Sequence, residues 1–206
     1  KINDNNSVQV LGYLSNVSFS IASDTTNSYA NKITSINWNH KFNDKNKGSL
    51  SVSNSNYSFN IDFDGKANNN FKLKYVIDEV NLKLKMSYLH SKAHKFNYGI
   101  SSKLYNISPG DINPKDKNSI VTPLSIPEER ALESSLFISD DFTVSKKLSL
   151  DLGIRYTLFS ALGASSQRFY EEGKPKNETT IIDVVDYGKN EIYKNFNALN
   201  FRFSSR

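Results

Sequence analysis

Apolar and polar residues alternate one by one along most of this chain. Tyr57, Phe59, Ile61 and Phe63 interleave with Ser58, Asn60, Asp62 and Asp64, and Phe71, Leu73, Tyr75 and Ile77 with Lys72 and Lys74, broken only by Val76. Leu82, Leu84, Met86 and Tyr88 oppose Lys83, Lys85 and Ser87, and Phe96, Tyr98, Ile100 and Leu104 oppose Asn97, Gly99, Ser101 and Lys103. The longest series, Leu148, Leu150, Leu152, Ile154, Tyr156 and Leu158, opposes Ser149, Asp151, Gly153, Arg155 and Thr157. Shorter echoes occur at Ile36, Trp38, His40 and Phe42, and at Leu199, Phe201 and Phe203. Period two places each apolar set on one face of a β-sheet and each polar set on the other. The apolar parity changes between Ile77 and Leu82, which fits either a two-residue turn at Asp78 and Glu79 or a bulge in one long strand. Helical periodicity is nearly absent; one candidate turn of helix runs from Pro127 through Glu128, Glu129 and Arg130, and it is expected to be short or missing.

The spaces between these segments are unequal. Residues 43–47, 91–94 and 143–147 are tight connections, whereas 108–130 and 161–195 are long and polar and hold all five prolines. Two structureless loops of that size are uncommon in a compact soluble domain, but short turns at one end and long loops at the other are the rule in outer-membrane barrels. A soluble antiparallel sandwich also alternates. The apolar stripes here, however, run for about 9 to 11 residues, the span a tilted strand needs to cross hydrocarbon. Trp38, Tyr57, Tyr75, Tyr88, Tyr105 and Tyr156 lie toward strand ends, where interfacial girdles would be. A cation facing lipid at the midplane costs about 2–4 kcal/mol, and Lys72, Lys74, Lys83, Lys85, Lys103 and Arg155 all keep to the polar parity. The expectation is therefore an all-β fold, an antiparallel transmembrane β-barrel wall with apolar stripes on lipid and polar stripes on a wet lumen.

Composition narrows the chemistry. The chain has 206 residues, 13 Phe, 11 Tyr, no Cys and a formal charge of +5. Its basic residues are dispersed among apolar ones, which is not a nucleic-acid footprint. Without cysteine there is no disulfide, thiolate metal site or thiol nucleophile. No run of 18 apolar residues exists for a membrane helix, and residues 1–9 lack the apolar stretch of a signal peptide. Phosphate-binding glycine loops, nucleophile elbows and zinc-protease motifs are missing, so no catalytic residue, metal ligand or cofactor is expected, and no ligand-binding residue can be named. His40, His90 and His94 lack metal-ligand spacing and read as solvated or interfacial side chains. Asp140 and Asp141 point to opposite strand faces, and Glu171 and Glu172 fall in a solvated loop. Asp151 and Arg155 share the lumen parity; they could meet a plug or a passing solute, or pair across strands within the wall.

Several segments resemble TonB-dependent outer-membrane receptors of the Bacteroidetes type. The stretch from Ala131 through Glu133 to the Asp140-Asp141-Phe142 end is similar to a family strand. So is the strand that follows it, in which Leu148, Leu150, Gly153, Arg155 and Tyr156 fit the pattern L-x-L-x-x-G-x-R-Y. Tyr75 to Leu84, His94 to Gly99 and the Ile107-Ser108-Pro109-Gly110 end look like consecutive strands reaching a loop, and Ile36 to Phe42 like one entering a periplasmic turn. Leu199-Asn200-Phe201-Arg202 stands where family members often carry Leu-Glu-Pro-Arg. The resemblance covers residues 33 to 206 and implies about eight strands of a larger barrel of about 22. Residues 1–206 would then form part of a single barrel domain, without the plug and closing strand. It further implies a bacterial outer-membrane receptor that imports a scarce nutrient (siderophore, glycan, peptide or cobalamin class) without bond chemistry. The implied partners are membrane lipid, the plug and remaining barrel, a TonB-type energising protein and a surface lipoprotein, with no nucleic acid. Rival readings are a porin, a secretion or surface-assembly subunit, a barrel enzyme, or a soluble β-sandwich binding module.

Overall fold

The computed structural model describes residues 1–65 and 68–206. Alternation becomes strand almost throughout. Eight long strands, β1 (Asn6–Ala22), β2 (Thr25–Lys41), β3 (Asn46–Phe63), β4 (Phe71–Leu89), β5 (His94–Pro114), β7 (Glu129–Ser145), β8 (Leu148–Leu162) and β11 (Ile192–Ser205), pair antiparallel in that order. The two-residue β6 (Leu124–Ser125) pairs with β5. A separate hairpin, β9 (Ser165–Tyr170) and β10 (Ile181–Tyr187), rises from the β8–β11 connection. At one end of the sheet, here the turn end, the links at residues 42–45, 90–93 and 146–147 are minimal. The opposite loop end carries the long connections.

The sheet decides several expectations. The candidate helical turn at Pro127 is missing, one of the two outcomes expected for it, because Glu129 and Arg130 already pair with Ile107 and Asn106 in the sheet; an unforeseen 3-10 turn sits at Glu178–Thr180, capped by Asn177. The two long connections are partly ordered, by β6 and by the β9–β10 hairpin. Chain continuity at Asp78 and Glu79 is also unbroken, with neither turn nor bulge: β3 and β4 stay in register from Asn46↔Tyr88 to Phe63↔Phe71. The change of apolar parity is thus a real exchange of faces. A bulge does occur further on, where Lys74↔Asp111 is followed by Val76↔Ser108. Its extra residues are Pro109, which has no N–H to offer the ladder, and Gly110, whose φ of +155° suits a residue without Cβ. The bulge lets β5 run on to Pro114 instead of ending at Gly110, and it restores Ile112 to the face of Leu73.

The register shows what the faces are. One row of apolar side chains crosses the whole sheet: Val8, Trp38, Leu50, Leu84, Ile100, Leu136, Tyr156 and Leu199. Parallel rows hold Val52 and Leu82, or Met86, Tyr98, Ile138, Ile154 and Phe201. Nothing covers them: Leu136 is 59% exposed and Phe201 74%. Apolar burial below a tenth exposure is confined, among the described residues, to Ala131 and Leu162. Among the described residues the stripes do not press against a second sheet. Facing polar residues such as Ser35, Asn37 and Asn39 are half-buried although Ile36 and Trp38 between them are exposed. Such shielding marks the polar side as the concave one.

On β4 the apolar band extends from Tyr88 to Val80. Nine residues at about 3.3 Å each, tilted by about 45°, rise on the order of 20 Å, close to the ~25 Å apolar band of outer-membrane barrels. The next row toward the loops reads Lys32, Asn56, Asp78, Asn106 and Arg130 on five adjacent strands. That polar row ends the band sharply.

Candidate functional site

Above the polar row the wall turns inside out. Tyr57↔Ile77↔Ile107, Tyr29↔Phe59↔Tyr75 and Phe63↔Phe71 occupy the concave face, while Ser58, Asn60, Asp62, Lys72 and Lys74 face outward. The uniform assignment from the sequence, with every apolar stripe on lipid, is corrected here. It holds in the turn half and reverses in the loop half. A polar outer face over an apolar concave one is what strands adopt where water lies outside and the concavity offers shelter. For the same reason Tyr57, Tyr75 and Tyr105 belong to the inner face, not to a lipid girdle, and Tyr156 sits mid-band. The aromatic belt of the outer face lies on the turn side, around Phe42, Tyr88, Phe96 and Phe203.

The concave face thus has two zones. The loop half forms an aromatic shelf of Tyr29, Tyr57, Phe59, Phe63, Phe71 and Tyr75, with Phe63 and Phe71 rings 5.1 Å apart. The turn half is polar and charged, and a ladder of side-chain contacts runs from it up to the boundary with the shelf. Lys103 Nζ lies 3.4 Å from Glu79, the Tyr105 hydroxyl donates to Glu133 at 3.0 Å, and the Ser101 and Ser135 hydroxyls meet at 2.8 Å. Gly99 leaves room beside the Phe137 ring, whose centroid takes Lys83 Nζ at 5.7 Å and the Arg155 guanidinium at 5.5 Å.

The residues singled out from the sequence fall as follows. Asp151 pairs across strands with Arg202 at 2.6 Å, and Arg155 leans on Phe137, so the two share a face without joining each other. Asp140 and Asp141 part to opposite faces: Asp140 meets His94 Nδ1 at 2.6 Å outside, and Asp141 meets Lys95 at 3.4 Å inside. His40 donates its Nδ1–H to Asn6 Oδ1 at 2.8 Å and packs on Phe42; His90 lies by Tyr88 and Phe96. All three histidines stand beside the turns, on the outer face. Among the described residues no three His, Asp or Glu side chains gather as a metal would need.

At the loop end, Lys115 reaches Asp62 and Asp64, both at 2.6 Å, and these hydrogen bonds raise its pKa. Asp116 accepts from the Asn118 N–H at 2.7 Å and from Asn70 at 3.2 Å, which hold its carboxyl below the usual range. The β9–β10 hairpin is closed by Arg168 on Glu178 at 2.7 Å, and its stem by the Gly163 N–H on Glu191 C=O at 2.8 Å. Sequence reasoning missed β1 and the aromatic shelf. Val8, Val10 and Gly12 on one parity, with Leu11 and Tyr13 on the other, blur β1. The shelf's residues were visible, but not their face.

No family model and no curated protein matches this chain. In three dimensions it is similar to BauA, the ferric preacinetobactin receptor from Acinetobacter baumannii, with TM-score 0.55 and 16% identity over 77% of this chain and 32% of that one. The chain folds as a stretch of β-barrel wall. It spans about a third of the length of that receptor. Two further structures overlap less well: the siderophore receptor PiuA of the same species (TM-score 0.46, 13% identity, 88% and 30% covered) and FpvA of P. aeruginosa bound to pyoverdines (0.44, 9%, 97% and 39%).

Proposed function

We propose that this wall belongs to an outer-membrane receptor of the TonB-dependent kind, in the form resembling Bacteroidetes members, which imports a scarce nutrient with energy supplied from the inner membrane. The observation that carries the reading is the uncovered apolar band crossing all eight long strands. Eight strands at about 4.8 Å and a band of ~25 Å amount to on the order of 1,000 Å², beyond the few hundred Å² that soluble monomers expose. At about 25 cal/mol per Å², leaving that band in water would cost on the order of 25 kcal/mol, more than the 5–15 kcal/mol or so that keeps a domain folded. Lipid removes the cost. Residues 1–206 would be one part of a single barrel domain whose remaining strands and plug lie in other polypeptide.

In this reading the wall performs no bond chemistry. Its aromatic shelf is the first concave surface a ligand meets from the loop side, and its charged ladder lines the route inward or contacts the plug. The siderophore receptors above support a chelated metal ion as cargo, with glycan, peptide and cobalamin classes as the other candidates. A surface lipoprotein would dock on the loops. The test is uptake by cells lacking the gene, measured with one labelled member of each class. Loss of uptake of one class, reproduced when the proton gradient is dissipated, supports the reading. Uptake that is passive and unselective would replace it with a porin.

A further inference from the structure

The charge of this chain is segregated along the membrane normal. The turn half (residues 1–9, 37–53, 81–101, 135–157 and 198–206) holds thirteen Lys and Arg against five Asp and no Glu, whereas the rest holds thirteen against sixteen carboxylates. All five aspartates are already engaged: Asp4 by Lys1 at 2.7 Å, Asp44 by Lys41 at 2.6 Å, Asp140 by His94, Asp141 by Lys95 and Asp151 by Arg202. Among the described residues nine of these thirteen cations have no carboxylate within ion-pair distance, and four of the nine, Lys45, Lys92, Lys146 and Lys147, stand at the turns. Each of these four is exposed at one of the three tight turns. Immediately beside these turns, on the lipid face, stands the aromatic and histidine belt, with Phe42 against His40 at 4.4 Å and Phe142 stacked on His94 at 4.3 Å. Among the described residues no comparable outward belt stands at the loop boundary.

Cations on turn tips next to an aromatic belt match a headgroup layer: rings settle at the glycerol level, and ammonium groups meet phosphodiesters just beyond it. We infer that the turn-side rim selects anionic glycerophospholipids, held through Lys45, Lys92, Lys146 and Lys147, and that this anchors the short-turn end in the phospholipid leaflet. The inference rests on the membrane reading above and adds the lipid class to it.

Trp38, the one tryptophan of the chain, faces lipid three residues before Lys41 and reports the site. The whole protein is reconstituted in phosphatidylcholine bilayers containing brominated phosphatidylglycerol or brominated phosphatidylcholine, and quenching is read as the difference between the native protein and its Trp38→Phe variant. The expected result is stronger quenching by the glycerol lipid, equivalent to a several-fold preference. A full contact of one lysine with the anionic surface is worth about fivefold. The preference shrinks at high salt as charges are screened. The variant Lys45→Gln/Lys92→Gln/Lys146→Gln/Lys147→Gln should bring the ratio near one, while Lys174→Gln/Lys176→Gln/Lys189→Gln, on the loop side, leaves it unchanged. Heat-dependent gel mobility confirms that each variant is folded. Equal quenching by the two lipids in the native protein, or a preference that survives the turn variant, overturns the inference and leaves the membrane wall standing. Quenching by neither lipid removes the wall from the bilayer and both readings with it.

Discussion

At the level of single residues, position relative to the band decides what a substitution does. Ile100 lies in the central apolar row, opposite Leu84 and Leu136, and is 48% exposed. On the membrane placement proposed above, Ile100→Lys would put an ammonium into hydrocarbon and should lower stability by about 2–4 kcal/mol in a urea titration of the bilayer-inserted protein. Asn37→Lys, on the concave face between Gln9 and Ser51, should change it by no more than about 0.5 kcal/mol. Equal costs at the two sites would refute the assignment of faces. Asp116, at the loop end, provides a pH probe. Its carboxylate is held by the Asn118 N–H and the Asn70 amide, so its folded pKa lies below the unfolded value. The loop contact is therefore complete above the ordinary aspartate range and is lost as the pH falls through the depressed folded value. The amide resonance of Asn118 should titrate below the midpoint of an ordinary aspartate, and Asp116→Asn should abolish that step. A midpoint at or above the ordinary value would contradict the geometry.

Among the elements, the wall and the excursion on top of it differ in what holds them. The long strands from β2 to β8 are tied to neighbours on both sides and the edge strands β1 and β11 to one long strand each, whereas β9 and β10 pair only with each other, and a lone hairpin is marginal in water. Excising residues 164–189 and joining the stem at Gly163 and Asn190, which are already hydrogen-bonded at 2.8 Å, should leave the heat-dependent gel shift of the barrel unchanged while reducing ligand capture. A lost shift would show that the hairpin supports the wall. The element scale is also where sequence reading succeeded and failed. Strand identity and the tight turns were legible because period two and turn residues are local properties. The reversal of faces above Val80 was not. Phe59 alternating with Ser58 and Asn60 gives the same pattern whether the rings point to lipid or lumen, and only pairing with β4, itself fixed by Leu50↔Leu84, settles which. The Pro109–Gly110 bulge was hidden for a related reason: Pro and Gly look like the end of a strand, and it takes the continued pairing of Leu73 with Ile112 to show that β5 goes on. For β1 the local signal itself is weak, since apolar residues occupy both parities.

For the molecule as a whole, the sheet ends in two unpaired edges, β1 and β11, of 17 and 14 residues. About half the backbone N–H and C=O groups of an edge strand point away from its one partner. In hydrocarbon each unsatisfied group costs several kcal/mol. A band some nine residues tall would therefore leave about four such pairs per edge facing lipid, a total far larger than a domain's net stability. No side-chain arrangement removes that cost; only further strands do, by closing the wall. The concave polar face points to the same conclusion, because charges such as Lys85 and Arg155 stay hydrated only if closure keeps lipid out of the lumen. Refolded alone in detergent, residues 1–206 should therefore join edge to edge into oligomers without a defined heat-dependent mobility shift. The same residues within the complete barrel should run as a compact monomer that shifts on heating. Sedimentation of the isolated chain as a stable monomer with protected edge amides would show that β1 and β11 are satisfied by some other means, and the wall would have to be redrawn as a self-contained sheet.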